Sequence, residues 1–258
     1  MRRLAVIKFL QLLAVIPACA GIVQTPSHPT GRNLAPPSTP ASGLRWDNAP
    51  AFLSGGMPTQ LGSVSVRVNG QPAFIFFVCS ARTNSSCPVD QINALTPLDP
   101  TVGAVQVIVT NEQSSSVPFL VGKRSVAPSI LRWGNYHVAT HADGSLVGPP
   151  ALFPGLTRPA IPGEIITLWG VGFGLPTSAL VNGAASQQGT LPKRPIVALV
   201  DSGIEVLFAG LVSPGLYQIN IRIPSNLPDG DYLLAVAVLD DSDNVVFGPH
   251  RGLLSVQR

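Results

Sequence analysis

The chain has 258 residues, of which 11% are charged, and its 25 Gly and 26 Pro favour many short strands joined by turns over packed helices. Its formal charge of +3 comes from Arg2, Arg3 and Lys8 near the N-terminus. After residue 20 the 13 remaining Lys and Arg residues balance the 13 Asp and Glu residues. With no run of Lys or Arg in this balanced remainder, the composition excludes a nucleic-acid binder.

The first 20 residues, MRRLAVIKFLQLLAVIPACA, have the pattern of a secretory signal peptide. Two arginines precede an apolar run that is too short to span a bilayer, and the small residues at its end predict cleavage after Ala20. The alternative is a lipid anchor on Cys19, although Pro17 fits the lipoprotein pattern poorly. We expect a secreted or cell-envelope protein with no transmembrane span in the mature chain.

Residues 21–43 are rich in Pro, Ser and Thr, which predicts an extended leader. Valines then alternate with polar residues over 64–68, and this period of two predicts a strand with one buried face. The dipeptide Asn69-Gly70 that follows predicts a hairpin turn, because both residue types tolerate a positive φ.

The phrase QINALTPLDPTVGA at residues 91–104 recurs without a gap as QINIRIPSNLPDGD at residues 218–231. In the second copy isoleucines alternate with polar residues, so the phrase predicts a strand that carries its amides, Gln218 and Asn220, outward or at its edge. Such amides can bind a sugar, but beside a turn they more often satisfy neighbouring backbone groups. The repeat is therefore interpreted as structural.

Short strands and turns in two similar sets predict an all-β fold of two tandem immunoglobulin-like β-sandwich domains, at residues 44–125 and 126–258. The first domain lacks a counterpart of the second domain's opening strand, PGEIITLWGVGFG, at residues 162–174. Its sheet is then completed by leader residues, completed by the neighbouring domain, or left with an exposed edge.

Cys79 and Cys87 remain as a pair whether Cys19 is removed or lipidated. They bracket a short polar loop in a chain that we expect to be exported, which predicts a disulfide bond. A metal-binding thiol pair is the alternative, but no His or further Cys is near them in the sequence.

The phrases PGEIITLWGVGFG, FAGLVSPGLYQINIRIPSNLPDGDY and the final LLSVQR resemble the Solibacter-type C-terminal module, which occurs at the ends of many exported bacterial proteins. The strand and glycine-rich turn of the first phrase also resemble the IPT/TIG group of immunoglobulin-like domains. The phrases LGSVSVRVNGQPAFIFFV and DQINALTPLD resemble the half that often precedes this module. The resemblance implies a β-sandwich in an exported bacterial protein, and it brings no activity or catalytic residues with it.

Several patterns that resemble ligand sites are interpreted as structural. The glycines of GVGFG at 170–174 do not open a helix, as a phosphate loop requires, because Pro176 follows them. His137 and His141 have metal-ligand spacing, but Asp143 is the only further ligand nearby. The acidic stretch DDSDN at 240–244 lacks the glycine and distant Glu of a calcium loop, which favours a hairpin tip.

Trp133 and Tyr136, in the polar stretch RWGNYH, are the candidate ligand contacts, because exposed aromatic side chains stack on sugars or anchor protein partners. Trp169 lies in an apolar strand and is interpreted as a core residue. We expect no catalytic residue, metal or cofactor, since the chain also lacks a GxSxG motif. The sequence predicts a non-enzymatic exported binding or scaffolding protein whose partner is an envelope protein or a polysaccharide. The alternatives are a carbohydrate-binding module and a hydrolase whose site is not visible in the sequence.

Overall fold

The computed structural model describes residues 22–23, 43–80, 84, 87, 90–111, 114–199, 202–249 and 251–258. The predicted signal peptide, with Cys19 and the cleavage after Ala20, lies outside the described residues, as does most of the leader. Helix among the described residues is limited to a 3-10 turn at Trp46–Asn48 and the short helix α1 at Pro50–Leu53. No helix in this part of the chain is long and apolar enough to cross a membrane.

The strands up to Lys123 build two antiparallel sheets, which are called the first unit below. Its strands are β1 (Ile22–Val23), β2 (Leu44–Arg45), β3 (Gln60–Leu61), β4 (Val64–Val68), β5 (Gln71–Pro72), β6 (Phe74–Cys79), β7 (Gln91–Leu95), β8 (Gly103–Asn111), β9 (Ser114–Ser115) and β10 (Phe119–Lys123). One sheet has the order β1-β7-β6-β2. The other has the order β10-β8-β4-β3, with β5 paired to β4 and β9 paired to β8.

The strands from Ser129 onward build the two sheets of the second unit. They are β11 (Ser129–Ile130), β12 (Arg132–Trp133), β13 (Tyr136–His137), β14 (Ala139–Thr140), β15 (Leu146–Val147), β16 (Thr157–Arg158), β17 (Ile165–Val171), β18 (Gly189–Thr190), β19 (Ile196–Leu199), β20 (Ser202–Gly203), β21 (Val206–Ser213), β22 (Leu216–Arg222), β23 (Gly230–Leu239), β24 (Val245–Phe247) and β25 (Gly252–Val256). One sheet has the order β16-β15-β14-β17-β22-β21-β18, with β11 paired to β17. The other has the order β12-β13-β25-β23-β19-β20, with β24 paired to β23.

The predicted all-β fold is confirmed, and its cores follow the alternation of the sequence. In β4 the inward Val66 and Val68 are buried, and in β22 the inward Ile219 and Ile221 are fully buried. Each unit closes its own apolar core between its two sheets. Burial of these β-branched side chains on one face of each sheet is the main force that holds the sandwiches together.

The predicted hairpin turn after β4 is also confirmed. Asn69 and Gly70 both have positive φ, at 51° and 76°, which matches the twist of a two-residue hairpin. The tight turn sets the pairing of β4 with β5.

The two units share one strand topology, so the repeat extends well beyond the phrase that reveals it. Strands β4, β6, β7, β8 and β10 correspond to β19, β21, β22, β23 and β25, with the same pairings. Even a bulge is repeated: Phe77 pairs with Asn93 directly after a register shift, and Phe208 pairs with Asn220 in the same way. Residues of these corresponding strands therefore have structural equivalents in the other unit.

The sequence leaves open how the first unit completes its sheet in the absence of its own opening strand, and β1 supplies the answer. This strand pairs Ile22 with Leu95 and Val23 with Ala94 of β7. In the second unit, β17 pairs Ile165 and Ile166 with the equivalent positions of β22. Leader residues thus complete the first sheet in the register of the second, which is one of the three solutions that the sequence leaves open.

The predicted disulfide bond is confirmed between Cys79 and Cys87, whose α-carbons are 5.8 Å apart. Both residues are buried. The bond ties the end of β6 to the loop before β7, and disulfides of this kind are typical of oxidising compartments.

The two units meet at a seam made by the loop that joins β17 to β18. The N–H of Met57 donates to the carbonyl of Gly183 at 2.8 Å, and the N–H of Ala185 donates to the carbonyl of Gly55 at 2.8 Å. An isolated β-bridge joins Gly56 to Ala184 between these two bonds. The seam is therefore built from paired backbone.

Apolar packing supports the same seam. Met57, Phe74 and Leu95 of the first unit belong to the buried cluster of the second unit. Because Ile75 points into the first core, its neighbour Phe74 points out of that sheet and toward the second unit. The first unit therefore covers its outward apolar side chains with its neighbour.

Candidate functional site

The exposure predicted for Trp133 is wrong. Trp133 is 7% exposed, and its ring packs edge-on against Phe153 with the centroids 5.1 Å apart. Its indole Nε1 is buried without a hydrogen-bond partner among the described residues. The short hairpin of β12 and β13 turns the indole inward, so Trp133 offers no open ring face.

Tyr136 is half-buried, and its hydroxyl donates a hydrogen bond to the carboxylate of Asp231. This hydrogen bond, with a smaller contribution from burial, raises the pKa of Tyr136 above its ordinary value. The hydroxyl is therefore held in place at the rim of the second unit. A part for Tyr136 in ligand contact stays a prediction.

Trp169, interpreted from the sequence as a core residue, lies instead at an outward position of β17. Its neighbours Ile166 and Leu168 are buried inward, and Trp169 alternates with them and is half-buried. Its indole Nε1 donates to the hydroxyl of Thr140 at 3.1 Å. The aromatic side chain on the surface is thus Trp169 and not Trp133.

The register of β17, β22 and β21 gathers the polar side chains of the repeated phrase around Trp169. Thr167 pairs with Asn220, and Trp169 pairs with Gln218, so all four side chains share the outward face of the sheet. We call this surface, with Thr140 and Phe208 added, the amide face: Thr140, Thr167, Trp169, Phe208, Gln218 and Asn220. Each of these residues is half-buried, as expected on the solvent side of a sheet.

The amides of this face bond to side chains and not to neighbouring backbone. Gln218 Nε2 donates to Asn220 Oδ1 at 3.0 Å, and the Thr167 hydroxyl donates to the same oxygen at 3.0 Å. Gln218 Oε1 and Asn220 Nδ2 have no partner among the described residues. The network therefore fixes both side chains while leaving one acceptor and one amino group directed to solvent.

A second aromatic ring closes the other side of the amide face. Phe208 pairs with Asn220, and a Cβ placed on Gly210 would lie 2.8 Å from the Phe208 ring. The ring therefore lies across Gly210, next to Gln218. The two amides stand between an indole and a phenyl ring on neighbouring strands.

A depression of about 470 Å³ continues the amide face at one end. Arg222 and Glu205 line it and form an exposed ion pair, with 3.1 Å between Nε and Oε2. Arg222 follows Asn220 by two residues in β22 and belongs to the next outward row. Neutral amides, aromatic rings and a charged pair thus form one continuous surface.

The first unit has part of the same arrangement. Gln91 Nε2 donates to Asn93 Oδ1 at 2.8 Å, and Phe77 occupies the position of Phe208. The outward row next to it differs, because Phe74 and Leu95 there are covered by the second unit. Of the two units, the second is the one whose described residues place an aromatic side chain on both sides of the amides on an open surface.

A hydrogen-bonded cluster lies beside the amide face. His141 Nδ1 contacts Glu164 Oε1 at 2.8 Å, and His141 Nε2 contacts the carbonyl of Arg158 at 3.1 Å. Burial opposes ionisation of Glu164, but hydrogen bonds from Ile161, Arg158 and His141 outweigh it and lower the pKa of the carboxyl group. Both ring nitrogens of His141 are engaged, and within the described ranges neither contacts a hydroxyl group that could act as a nucleophile.

The remaining patterns have structural roles. His137 is buried and accepts a hydrogen bond at Nε2 from the N–H of Gly252 at 2.8 Å. Gly172 and Gly174 have φ values of 78° and 97°, and the strand that they end leads into a loop and not into a helix. No three His, Cys, Asp or Glu residues in the described ranges are placed to hold a metal ion.

The acidic stretch is a hairpin tip, as predicted. It connects β23 to β24, and the Asp240 carboxylate accepts hydrogen bonds from the backbone N–H groups of Ser242 and Asn244. Asp243 pairs with Lys193. The Asp240 carboxylate is therefore engaged by the turn itself, whereas that of Asp243 is engaged by a lysine from another loop.

The chain matches no protein-family model, and comparison with curated proteins gives no match. Among solved structures, it is similar to SGBP-B of the Bacteroides ovatus mixed-linkage glucan utilization locus, solved in complex with a mixed-linkage heptasaccharide. Identity is 14% over 76% of this chain, and the TM-score is 0.27. The chain spans 37% of the length of that structure.

Proposed function

We propose that this protein is a non-enzymatic, exported binding protein that holds a polysaccharide on the amide face of its second unit. The observation that carries the proposal is the placement of Gln218 and Asn220 between the rings of Trp169 and Phe208. Amides offer a donor and an acceptor to sugar hydroxyls, and flat aromatic rings stack on the apolar faces of sugar rings.

The fixed side-chain positions of the amide face support a binding role. The hydrogen bonds from Trp169 to Thr140 and from Gln218 to Asn220 hold the side chains in place before a ligand arrives. A preorganised surface loses little side-chain entropy on binding. The face is open along the sheet, which suits an extended chain more than a small molecule in a closed pocket.

The absence of a catalytic role is part of the proposal. A hydrolase needs a nucleophile or a pair of carboxylates that converge on one bond. Both nitrogens of His141 are used in a structural cluster. Glu164 and Glu205, on segments beside the amide face, are each paired with an arginine. These residues stabilise the fold around the face.

The test is binding of the full secreted chain to an array of soluble and insoluble polysaccharides, β-glucans among them. We expect saturable binding, with affinity reduced at least tenfold by Trp169→Ala and by Gln218→Ala. Gln91→Ala is the matched control, because Gln91 is the equivalent amide of the first unit and its loss is expected to leave affinity unchanged. Circular dichroism of each variant confirms folding.

Two results would overturn the proposal. If no polysaccharide binds, the amide face does not serve glycans. If Gln91→Ala weakens binding as much as Gln218→Ala, the ligand does not distinguish the second unit's face from its counterpart.

A further inference from the structure

His141 directly follows β14, and its side chain is fully buried, with 0% exposed. Nδ1 of the ring lies 2.8 Å from Glu164 Oε1, and Nε2 lies 3.1 Å from the carbonyl oxygen of Arg158. Both contacts are of hydrogen-bond length. The ring therefore has an oxygen atom at each of its two nitrogens in a site that is closed to solvent.

Neither of these oxygens has a proton to donate. The carbonyl of Arg158 is an acceptor only. The Glu164 carboxylate also accepts hydrogen bonds from the N–H of Ile161 at 2.8 Å and from the guanidinium of Arg158 at 3.1 Å. Burial opposes the ionisation of Glu164, but hydrogen bonds from Ile161, Arg158 and His141 outweigh this and lower the pKa of the carboxyl group. Glu164 is therefore ionised and accepts at both of its oxygens.

A histidine between two acceptors needs two protons. Neutral imidazole has one N–H group and one lone pair, so one of the two oxygens would face a lone pair in a buried site. We propose that His141 is a buried imidazolium, and that its second proton holds the amide face in the form that binds a ligand. The amide face is then regulated by pH, and only the effect on ligand affinity rests on the proposed function.

His137 provides an internal comparison, because it is as buried as His141, at 2% exposed. Its Nε2 accepts a hydrogen bond from the N–H of Gly252 at 2.8 Å, which is shorter than the contact of the same atom with the carbonyl of Leu234 at 3.1 Å. A ring nitrogen that accepts a hydrogen bond carries no proton, so this geometry makes His137 neutral. The partners of the ring, and not burial alone, therefore set the charge of each histidine.

The charged side chains around His141 balance when its ring is protonated. Glu164 lies directly before β17, Arg158 ends β16, and Asp143 lies in the turn after His141 and interacts with the charges of both Arg158 and His141. Burial and the Arg158 cation oppose the imidazolium, and the two carboxylates favour it. With the second proton the cluster has two cations and two anions, whereas without it one anion is left unbalanced.

The cluster is joined to the amide face through Thr140. The Thr140 hydroxyl accepts the hydrogen bond of the Trp169 indole at 3.1 Å, and His141 is the next residue after Thr140. Because β14 has only 2 residues, its position against β17 depends on what holds its end. Loss of the second proton removes the bond to the carbonyl of Arg158, since the bond to the Glu164 carboxylate is the stronger one. Thr140 is then less firmly held, and so is the indole of Trp169.

NMR of the full secreted chain with isotope-labelled histidine nitrogens measures the protonation of each ring nitrogen directly. At a pH of about 7.5, where free histidine is neutral, we expect a proton on both nitrogens of His141 and on one nitrogen of His137. A His141→Gln variant identifies the signals of His141, since they disappear from its spectrum. A His141 nitrogen without a proton at this pH overturns the proposal.

Raising the pH further tests whether the second proton holds the amide face. The indole N–H resonance of Trp169 should shift with the same midpoint as the signals of His141, whereas that of Trp46 in the first unit should not. Glu164→Gln is the matched variant, because its amide can donate to Nδ1 and let a neutral His141 keep both hydrogen bonds. The Trp169 resonance of this variant should not respond over the same range. A wild-type Trp169 resonance that is indifferent to the state of His141 overturns the proposal.

Polysaccharide binding is measured over the same pH range. We expect the affinity of the wild-type chain to fall several-fold as His141 loses its second proton, as for the loss of one hydrogen bond, and the affinity of Glu164→Gln to stay constant. A constant wild-type affinity while the Trp169 resonance shifts overturns the regulation of binding. Absence of binding at every pH refutes the proposed function instead, because the NMR signals of His141 and Trp169 need no ligand and decide the role of His141 by themselves.

Discussion

The ring of Phe74 in the first unit lies so close to Gly183 in the second that a Cβ on Gly183 would come within 2.2 Å of it. Gly183 also has a φ of 73°, a conformation that residues with a side chain rarely adopt. The close approach lets the loop of Gly183 pair its backbone with that of Met57. The contact between the units therefore depends on a residue without a side chain.

Gly183→Ala is expected to lower the free energy of unfolding by about 2 kcal/mol or more, because backbone strain and a clash with Phe74 add together. Gly144→Ala is the matched control: its φ is 83°, but a Cβ there meets open space, so strain alone should cost about 1 kcal/mol. Urea unfolding of both variants measures the difference. Equal losses would show that the ring of Phe74 moves aside freely.

Lys123 forms a buried ion pair with Asp99, with 2.9 Å between Nζ and Oδ2, and its side chain is 1% exposed. Lys123→Met removes the charge and leaves the Asp99 carboxylate without its cation, so we expect a loss of about 3 kcal/mol in unfolding free energy. Lys193→Met is the control, because the pair of Lys193 with Asp243 is exposed and should contribute less than about 1 kcal/mol. Similarly small losses of unfolding free energy in both variants would contradict the prediction that burial makes the pair of Lys123 and Asp99 the more important one.

Asp99 also predicts a dependence of stability on pH. Burial opposes its ionisation, but hydrogen bonds from Asn69, Thr101 and Lys123 outweigh this and hold the pKa of Asp99 well below its ordinary value. A carboxyl group whose pKa is lower in the folded state stabilises the fold above its unfolded pKa of about 3.9 and loses this contribution as the pH falls.

Unfolding measured at several pH values below about 5 should therefore show a steep loss of stability for the wild-type chain. The loss should be smaller for Asp99→Asn, which has no proton to take up at this position. Glu164, whose pKa is also lowered, gives both proteins a shared part of the slope. Identical slopes in the two proteins would contradict the role of Asp99.

The bond between Cys79 and Cys87 closes a loop with a sequence separation of 8. Chain entropy predicts that so short a loop stabilises the folded state by about 2.5 kcal/mol. Thermal unfolding of the double variant Cys79→Ser, Cys87→Ser should show that loss, and a reductant should have no further effect on it. A wild-type protein whose unfolding is insensitive to reductant would contradict the prediction.

The fold was predictable from the sequence because its signals are local. Alternating valines, the Asn69-Gly70 turn and the repeated phrase each specify a strand or a turn within a few residues. The strand β1 was not predictable, since Ile22 and Val23 stand beside a leader rich in Pro and acquire strand structure only through pairing with β7. Such pairing is a long-range property that local composition does not carry.

The candidate site was predicted in part. The outward amides Gln218 and Asn220 follow from the alternation of β22, and the same alternation applied to β17 places Trp169 outward, opposite Ile166 and Leu168. The apolar neighbours of Trp169 hid this signal. The prediction that Trp133 is exposed was wrong for the converse reason. Its polar neighbours suggest a surface position, but the indole packs against Phe153, which lies twenty residues later in the chain.

The paired backbone between Gly56 and Ala184 has a mechanical consequence. A force applied to the first unit does not reach the second through a slack linker, because Ala127 in the connection is itself hydrogen-bonded to Gly172. The pull passes through a bridge of β-type hydrogen bonds directly to the loop that leaves β17. A load held on the amide face would thus be transmitted through this bridge to the first unit, with little extension of the connecting segment.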